Sequence, residues 1–399
     1  MAPELWHVLR EGLAQEPSVS IRINPSKIDL KEWEVVLSDG VVPWCEYGFY
    51  LTHRPPFTFD PLLHAGAYYV QESSSMFLHH VLREILRGAR CEERLRVGEH
   101  SSGMRGARND LRVLDLCAAP GGKSTLVRSV LPAESLLVSN EPIRGRYQVL
   151  QENVMKWGYD RHEVTNLYPR DFRKRKELYD IIITDVPCSG EGMFRKDEGA
   201  IAEWSLQKVE QCQRLQREIV RDAWECLTPG GLLIYCTCTF NTLENEENIK
   251  WILENFDAEV LPVHTEAEWN IQGSILPDFI APIYRFIPGL TRGEGLFMAV
   301  IGKRGERSEK TRVSNKSLSS LLTPLSSINI DYPTALRYLR REAIVLPPDA
   351  PLGIVTVSYQ GIPLGQCKNI GSRANNLYPK EWRIKSTHTP DYEAILRHT

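Results

Sequence analysis

The chain has no Cys-x-x-Cys pair among its nine cysteines. Thiolate zinc sites and redox dithiols are built on that spacing, so no metal is expected. The scattered positions also do not read as a secreted disulfide framework. There is no run of about 18 apolar residues, the length a bilayer span needs, so no membrane partner is expected. The N-terminal MAPELWHVLREGL is amphipathic, carries acids and does not read as a secretory signal. Charge of one sign is also lacking: the formal net charge is −3. That balance exerts no global pull on nucleic acid, so any RNA contact must come from local basic surfaces. Internal repeats and a spaced Gly-x-Gly-x-x-Gly are absent too. What remains is a reduced, cytoplasmic protein of 399 residues, with room for two or three domains.

The stretch that organises the rest is Leu111 to Lys123, LRVLDLCAAPGGK. Leu111 to Leu116 reads as a short buried strand, followed by a turn of small residues and a helix from near Ser124. Backbone without side chains at a strand's carboxyl end lets a ligand come close, and a new helix offers free N–H groups. Cys117, Ala118, Ala119, Pro120, Gly121, Gly122 and Lys123 therefore read as a cofactor loop. A lone Gly-Gly turn is as readily only a turn, so the residues further on must decide.

Residues 1–90 read as a first unit, with a strand at Ser18 to Asn24 carrying Arg22, a strand at Tyr68 to Val70, and a Ser-capped helix from Ser73 to Leu86. The aromatics Trp44, Tyr47, Phe49 and Tyr50 read as core rather than as base-stacking platforms. Residues 91–110, rich in Arg, Glu, Gly and Ser, read as a linker or surface loop. From 111 to 302 strands alternate with helices, the pattern of a parallel sheet. Further strands are expected at Leu136 to Ser139, Val164 to Leu167, Tyr179 to Thr184 and Leu232 to Cys236. A helix over Leu206 to Leu227 is expected to stop at Thr228-Pro229-Gly230-Gly231. Leu296 to Ile301 and Ile283 to Ile287 read as a late hairpin. Residues 303–316 read as a linker and 317–399 as a small C-terminal domain.

In a doubly wound sheet, ligands sit at the carboxyl ends of the strands. The first strand brings the cofactor loop there. The second brings Glu141, about 20 residues past the glycines, where an acid can bind ribose hydroxyls; alone, it is as readily a surface acid. The third brings Asp171, in reach of an adenine amino group. The fourth ends in Asp185-Val186-Pro187-Cys188 and the fifth in Cys236-Thr237-Cys238. With strand order 3-2-1-4-5, the loop, Cys188 and Cys238 share one cleft. Cys45, Cys212, Cys226 and Cys236 read as inert apolar fillers. Cys188 and Cys238 sit in polar turns, where Lys123 or a helix N-terminus favours the reactive thiolate.

A cofactor cleft, two cysteines and an acid suit one reaction well. Carbon 5 of cytosine is too poor a nucleophile to take a methyl group unaided. A thiolate added at carbon 6 makes carbon 5 enamine-like, and the carbon-5 proton must then leave so the thiolate can be expelled.

The motifs DLCAAPGGK, DVPCSGEGMFRKD and TCTFNTLENEEN resemble those of the Sun-family RNA cytosine-carbon-5 methyltransferases. Gly190 to Asp197 and the tail Arg373 to Pro379 look like the bacterial RsmF-type branch, which methylates small-subunit ribosomal RNA. The resemblance implies a Rossmann-like class I methyltransferase sheet, an α/β fold, between an N-terminal α+β RNA-binding unit and a C-terminal PUA-like RNA-binding domain. It implies S-adenosylmethionine as cofactor, held by Cys117 to Lys123, Glu141, Asp171 and Asp185. It further implies Cys238 as nucleophile, Cys188 as the residue assisting product release, Asp185 against the cytosine and Lys123 orienting Asp185. Cys236, where the family often has Ser, and Val186, where it often has Ala, read as harmless departures. Arg195, Lys196, Lys368, Arg373, Lys380, Arg383 and Lys385 are expected to meet RNA phosphates, although any one of them could be an ordinary solvated charge. The expected partner is 16S ribosomal RNA or the small ribosomal subunit. Transfer RNA and a non-catalytic assembly factor are the rival readings.

Overall fold

The computed structural model describes residues 3–96, 110–305, 327–388 and 391–399. A first helix, α1 (Pro3–Leu13), leads into a small sheet of strands β1 (Val19–Ile23), β3 (Ser38–Val41), β4 (Gly48–Leu51) and β5 (Tyr68–Val70), ordered β3-β4-β1-β5. Strand β2 (Trp33–Val35) lies apart from it, and α2 (Pro61–His64) precedes β5. A 3-10 turn over Ser74–Met76 then opens α3 (Phe77–Arg96). This helix overruns the expected linker by several residues; only 97–109 of the stretch 91–110 lies outside the described residues. Its start is explained by its apolar face. Phe77, Leu78, Val81 and Leu82 are fully buried in the same cluster as Leu126 of the helix Gly122–Val130 and Val113, Leu137 and Ile234 of the central sheet. Burial against the sheet, rather than local propensity, sustains the helix.

The central sheet alternates as expected. Strands β6 (Arg112–Asp115), β7 (Leu136–Asn140), β8 (His162–Thr165), β9 (Tyr179–Asp185) and β10 (Leu227–Thr237) are parallel, in the order β8-β7-β6-β9-β10. This is the 3-2-1-4-5 arrangement. Helices α4 (Gly122–Val130), α5 (Arg144–Trp157), α6 (Pro169–Arg175), α7 (Glu198–Glu203), α8 (Leu206–Glu225) and α9 (Glu246–Asn255) connect and cover the strands. The third strand lies two residues earlier than expected, because Leu167 is already donating to the Asn140 side chain. The Thr-Pro-Gly-Gly stretch does not stop α8, which ends at Glu225. Instead it lies inside β10, where pairing with β9 shifts register between Leu227 and Leu232. Gly230 has positive φ, which fits a bulge as well as a helix stop. Beyond β10 the sheet continues antiparallel through β13 (Leu296–Lys303) to β11 (Ala258–Val260), with β12 (Ile283–Phe286) also pairing β13 as the expected hairpin mate.

Of the expected linker 303–316, Lys303 ends β13 and residues 306–316 fall outside the described residues. The C-terminal sheet is β14 (Ser327–Asn329), β15 (Gly353–Tyr359), β16 (Ile362–Asn369) and β17 (Ala374–Asn376), with α10 (Tyr332–Leu339) against it. It is not packed as a separate bead. Ile21, Ile23, Trp33 and Tyr68 share one core with Leu336, Tyr338, Val355 and Leu396. The final strand, β18 (Leu396–His398), pairs antiparallel with β2 near the other end of the chain.

Candidate active site

The carboxyl ends of β6, β9 and β10 meet at one edge. At the end of β6, residues Cys117 to Gly121 form a loop with a cis Ala119–Pro120 bond, and α4 begins at Gly122. Gly121 has φ +114, a conformation that side chains disfavour. The loop is pinned from one side. Ala118 N–H donates to the Asn140 carbonyl (2.8 Å), while Arg146 and Asn153 donate to the carbonyls of Ala119 (2.9 Å) and Pro120 (2.8 Å). Glu141, at the end of β7, is 2% exposed. Its carboxylate accepts from Ile143 N–H (2.9 Å) and stands 3.4 Å from Arg146. Asp171 lies past β8, where its carboxylate is occupied by Tyr168 N–H (3.3 Å) and Lys174 (3.2 Å) as a helix cap. The Lys174 hydrogen bond holds this carboxyl below the usual carboxylate range.

At the end of β9, Asp185 accepts from Lys123 Nζ at 2.8 Å. Burial alone would push the Lys123 ammonium down, but Asp185, Cys236 and Cys238 nearby more than reverse this and keep it charged. One more carboxylate lies behind. Asp115 is fully buried, accepts from Ser124 Oγ (2.5 Å) and keeps Oδ1 without a partner; burial pushes its carboxyl up to about 7.

The sulfurs of Cys188 and Cys238 lie 3.3 Å apart, in contact, and both residues are half-buried. The hydrogen bond to Cys238, followed by burial, holds the Cys188 thiol well above the ordinary thiol range. Cys188 is therefore held as the thiol, and either sulfur can donate in this contact. Cys236 does not join them. It is fully buried in β10 opposite Asp185, and burial pushes its thiol up, as at Cys45 and Cys226.

Two glutamates from the quoted motifs hold the cysteine loops together, a role their sequence position does not reveal. Glu244 accepts from Ser189 N–H (3.0 Å), Gln216 (2.7 Å) and Asn241 (2.8 Å). Glu191 accepts from the N–H groups of Phe240 (2.6 Å) and Asn241 (3.0 Å) and from Trp204 (3.1 Å). Each carboxylate thus bridges the Cys188 loop to the Cys238 loop.

Arg195, read from the sequence as an RNA-facing cation, turns inward. Its side chain is 6% exposed and its donors go to Glu294 (2.7 Å), the Gly12 carbonyl (3.0 Å) and the Gly293 carbonyl (2.8 Å). Those contacts tie α1 to the active-site loop and engage three of the guanidinium's five N–H donors within the protein. Lys196 is exposed and stands 3.3 Å from Glu294. Lys368, Arg373, Lys380, Arg383 and Lys385 are all exposed on the C-terminal domain. A groove of about 670 Å³ runs beside Arg195, lined by His53, Arg54, Arg292 and Glu16. Among the described residues no cluster of three or more His, Cys, Asp or Glu could hold a metal ion, and no helix is long and apolar enough to cross a membrane.

Three family models match in chain order: the N-terminal domain of 16S rRNA methyltransferase RsmF over residues 4–73, 16S rRNA methyltransferase RsmB/F over 105–302, and the methyltransferase RsmF PUA domain over 326–384. The chain belongs to the RsmB/F methyltransferase family. Among relatives, the ribosomal RNA small subunit methyltransferase F of Aeromonas salmonicida is 30% identical over 294 residues, covering 71% of this chain and 57% of that protein's length. Its counterpart from Cronobacter sakazakii is 28% identical over 380 residues, covering 89% and 74%. A crystal structure of a methyltransferase homologue from Pyrococcus horikoshii has the same fold, with TM-score 0.59, 24% identity and coverage of 74% of this chain and 90% of that one. The cofactor of this methyltransferase family is S-adenosylmethionine. The residues present fit it: the loop carries Gly121 at positive φ, Glu141 stands at the end of β7, and the buried Asp115 keeps one carboxylate oxygen without a partner among the described residues.

Proposed function

We propose that this RsmB/F methyltransferase methylates carbon 5 of a cytosine in 16S ribosomal RNA through a covalent bond to Cys238. The observation that carries the reading is the 3.3 Å contact between the Cys188 and Cys238 sulfurs, at the strand ends flanking the Lys123–Asp185 pair. Carbon 5 can be methylated without any thiolate only with difficulty, so two sulfurs at this edge favour covalent chemistry.

Bound S-adenosylmethionine supplies a methyl group on a positively charged sulfonium. Residues Cys117 to Lys123, Glu141, Asp171 and Asp185 would hold it at the carboxyl edge. The target base must leave its helical stack for a thiolate to reach carbon 6. Cys238 then forms the sulfur–carbon bond at carbon 6, and the electron pair passes through the ring toward nitrogen 3 and carbon 5. Asp185 sits against that ring edge, with the Lys123 ammonium 2.8 Å behind it to balance charge. After carbon 5 is methylated, its proton passes to solvent water, the freed electron pair restores the carbon 5–carbon 6 double bond, and the carbon–sulfur bond breaks, returning its electron pair to Cys238 as thiolate. Cys188, protonated and in contact with Cys238, supports that release.

RNA approaches along basic surface. Lys196 stands beside the cleft, and the exposed Lys368, Arg373, Lys380, Arg383 and Lys385 offer phosphate contacts on the PUA domain. The site of action is the cytoplasm, where ribosomal RNA is assembled.

The test is transfer of a tritiated methyl group to naked 16S ribosomal RNA, small subunits and transfer RNA side by side. Cys238→Ala is expected to abolish transfer. Cys188→Ala is expected to leave enzyme covalently trapped on RNA, visible on a denaturing gel. Normal turnover by Cys188→Ala, with no adduct, would overturn the role assignment. Methylation of transfer RNA alone would overturn the substrate.

A further inference from the structure

A buried cation reaches the cofactor loop from outside the central sheet. Arg22, on β1 of the N-terminal unit, is 2% exposed. Its Nε donates to Gln71 Oε1 (2.7 Å), and its Nη2 donates to Thr125 Oγ1 (2.6 Å) and to the Gly122 carbonyl (3.3 Å). Its guanidinium stacks on Trp157 at 4.4 Å. Among the described residues it forms no ion pair. Burying a charge with only neutral partners is costly, and desolvation accordingly lowers this guanidinium to about 10. A fold keeps such a group where it does something a neutral side chain would not.

What it does follows from peptide geometry. Thr125 Oγ1 passes its own proton to the Gly121 carbonyl (2.8 Å). One guanidinium therefore anchors the carbonyls of both loop glycines, Gly122 directly and Gly121 through Thr125. A trans peptide points its N–H opposite to its C=O. Fixing those two carbonyls fixes the N–H groups of Gly122 and Lys123, which begin α4 and face the other way, toward the strand ends. Free N–H groups at a helix start are what a cofactor's oxygens use. We propose that Arg22 is a positioning residue for S-adenosylmethionine, making the N-terminal unit part of the cofactor site. The inference rests on the cofactor of the family and not on the cytosine chemistry above.

The experiment measures binding of S-adenosylhomocysteine to the full chain by calorimetry, without RNA, for wild type, Arg22→Met, Arg22→Lys and Thr125→Val. Thermal melting is followed in parallel. Binding by the wild type reports on the cofactor itself, and each variant's ratio to it reports on Arg22. Arg22→Met is expected to raise Kd at least tenfold, with Arg22→Lys recovering part of the loss. Thr125→Val, which leaves the cation in place, is expected to raise Kd severalfold with little change in melting temperature. A lowered melting temperature with unchanged Kd in Arg22→Met would show a merely structural role and overturn the proposal. Should Arg22→Met not fold, unchanged affinity in Thr125→Val overturns it instead.

Discussion

Beneath the cofactor loop, a run of polar residues links three strands through the start of α4. Ser124 donates to Asp115, Ser139 donates to Ser124 at 2.9 Å, and His162 Nε2 meets Ser139 at 2.8 Å. If Ser139 spends its proton on Ser124, His162 must donate from Nε2 and stay neutral. Its Nδ1 is buried without a partner, so a second proton would have nowhere to point. Burial, aided by Arg128, accordingly pushes this imidazole down to about 3. The folded value lies below the unfolded one, so stability from this group is full above about pH 6.5 and is lost as pH falls toward 3. The loss is roughly 1.4 kcal/mol for each pH unit in that window. His79, pushed down to about 4 by burial, adds to the same slope. In proton NMR titration, the His162 ring is expected not to titrate above pH 5. Melting temperature should fall less between pH 6.5 and 4.5 in His162→Gln than in wild type. A His162 midpoint near 6.5 would contradict this account.

At the level of elements, the loops after β9 and β10 behave as one. Gly192 N–H donates to the Cys238 carbonyl at 2.7 Å. A Cβ built on Gly192 would lie 2.6 Å from that oxygen and 3.0 Å from the Glu294 carbonyl, so backbone would have to move. Gly192→Ala is expected to displace the Cys238 loop and lower kcat by tenfold or more, because small misplacements of reacting groups are costly. Affinity for S-adenosylhomocysteine should stay within twofold, since the cofactor loop is held separately. Equal loss of both would show that the loops are not independent. The contact pattern also explains what the sequence could and could not show. Strand ends carrying Asp185, Cys188 and Cys238 were legible from apolar runs and turn residues. The glutamates Glu191 and Glu244 were visible only as motif letters, because their partners lie about fifty residues away in the chain. Likewise the first turns of α3 are held by an apolar face that meets a sheet which begins only after the polar stretch. Arg195 reads as a surface cation in sequence, yet its three partners come from α1 and the Gly293–Glu294 turn.

Across the whole molecule, the two ends close on each other. Ile395 and Leu396 are 1% and 0% exposed, in the core that also holds Trp33 and Tyr338. Strand β18 pairs with β2, and the Thr399 N–H donates to the Glu32 carbonyl at 2.8 Å. Deleting residues 395–399 removes two large buried aliphatic side chains and an edge strand. The expected cost is on the order of 5 kcal/mol, read as a lower melting temperature of the joint N- and C-terminal unit in calorimetry. An unchanged melting profile would mean the tail is only laid on the surface. The same closure puts the C-terminal domain and the unit bearing Arg22 on one shared core.

By itself, the sequence determined the alternation of strands and helices and which candidate residues end the strands; the strand order that brings the loop and two cysteines to one edge entered it as a condition, which the sheet meets. The first two are readable because burial alternates locally and because turn residues and motifs are contiguous in the chain. Only the tertiary structure decided that Cys188 and Cys238 touch, that Arg195 is buried among internal partners, that Arg22 braces a loop a hundred residues away, and that the C-terminal strand shares a core with the sheet of the N-terminal unit. Those outcomes depend on which distant groups satisfy a buried charge or an apolar face, and no local pattern in a chain carries that information.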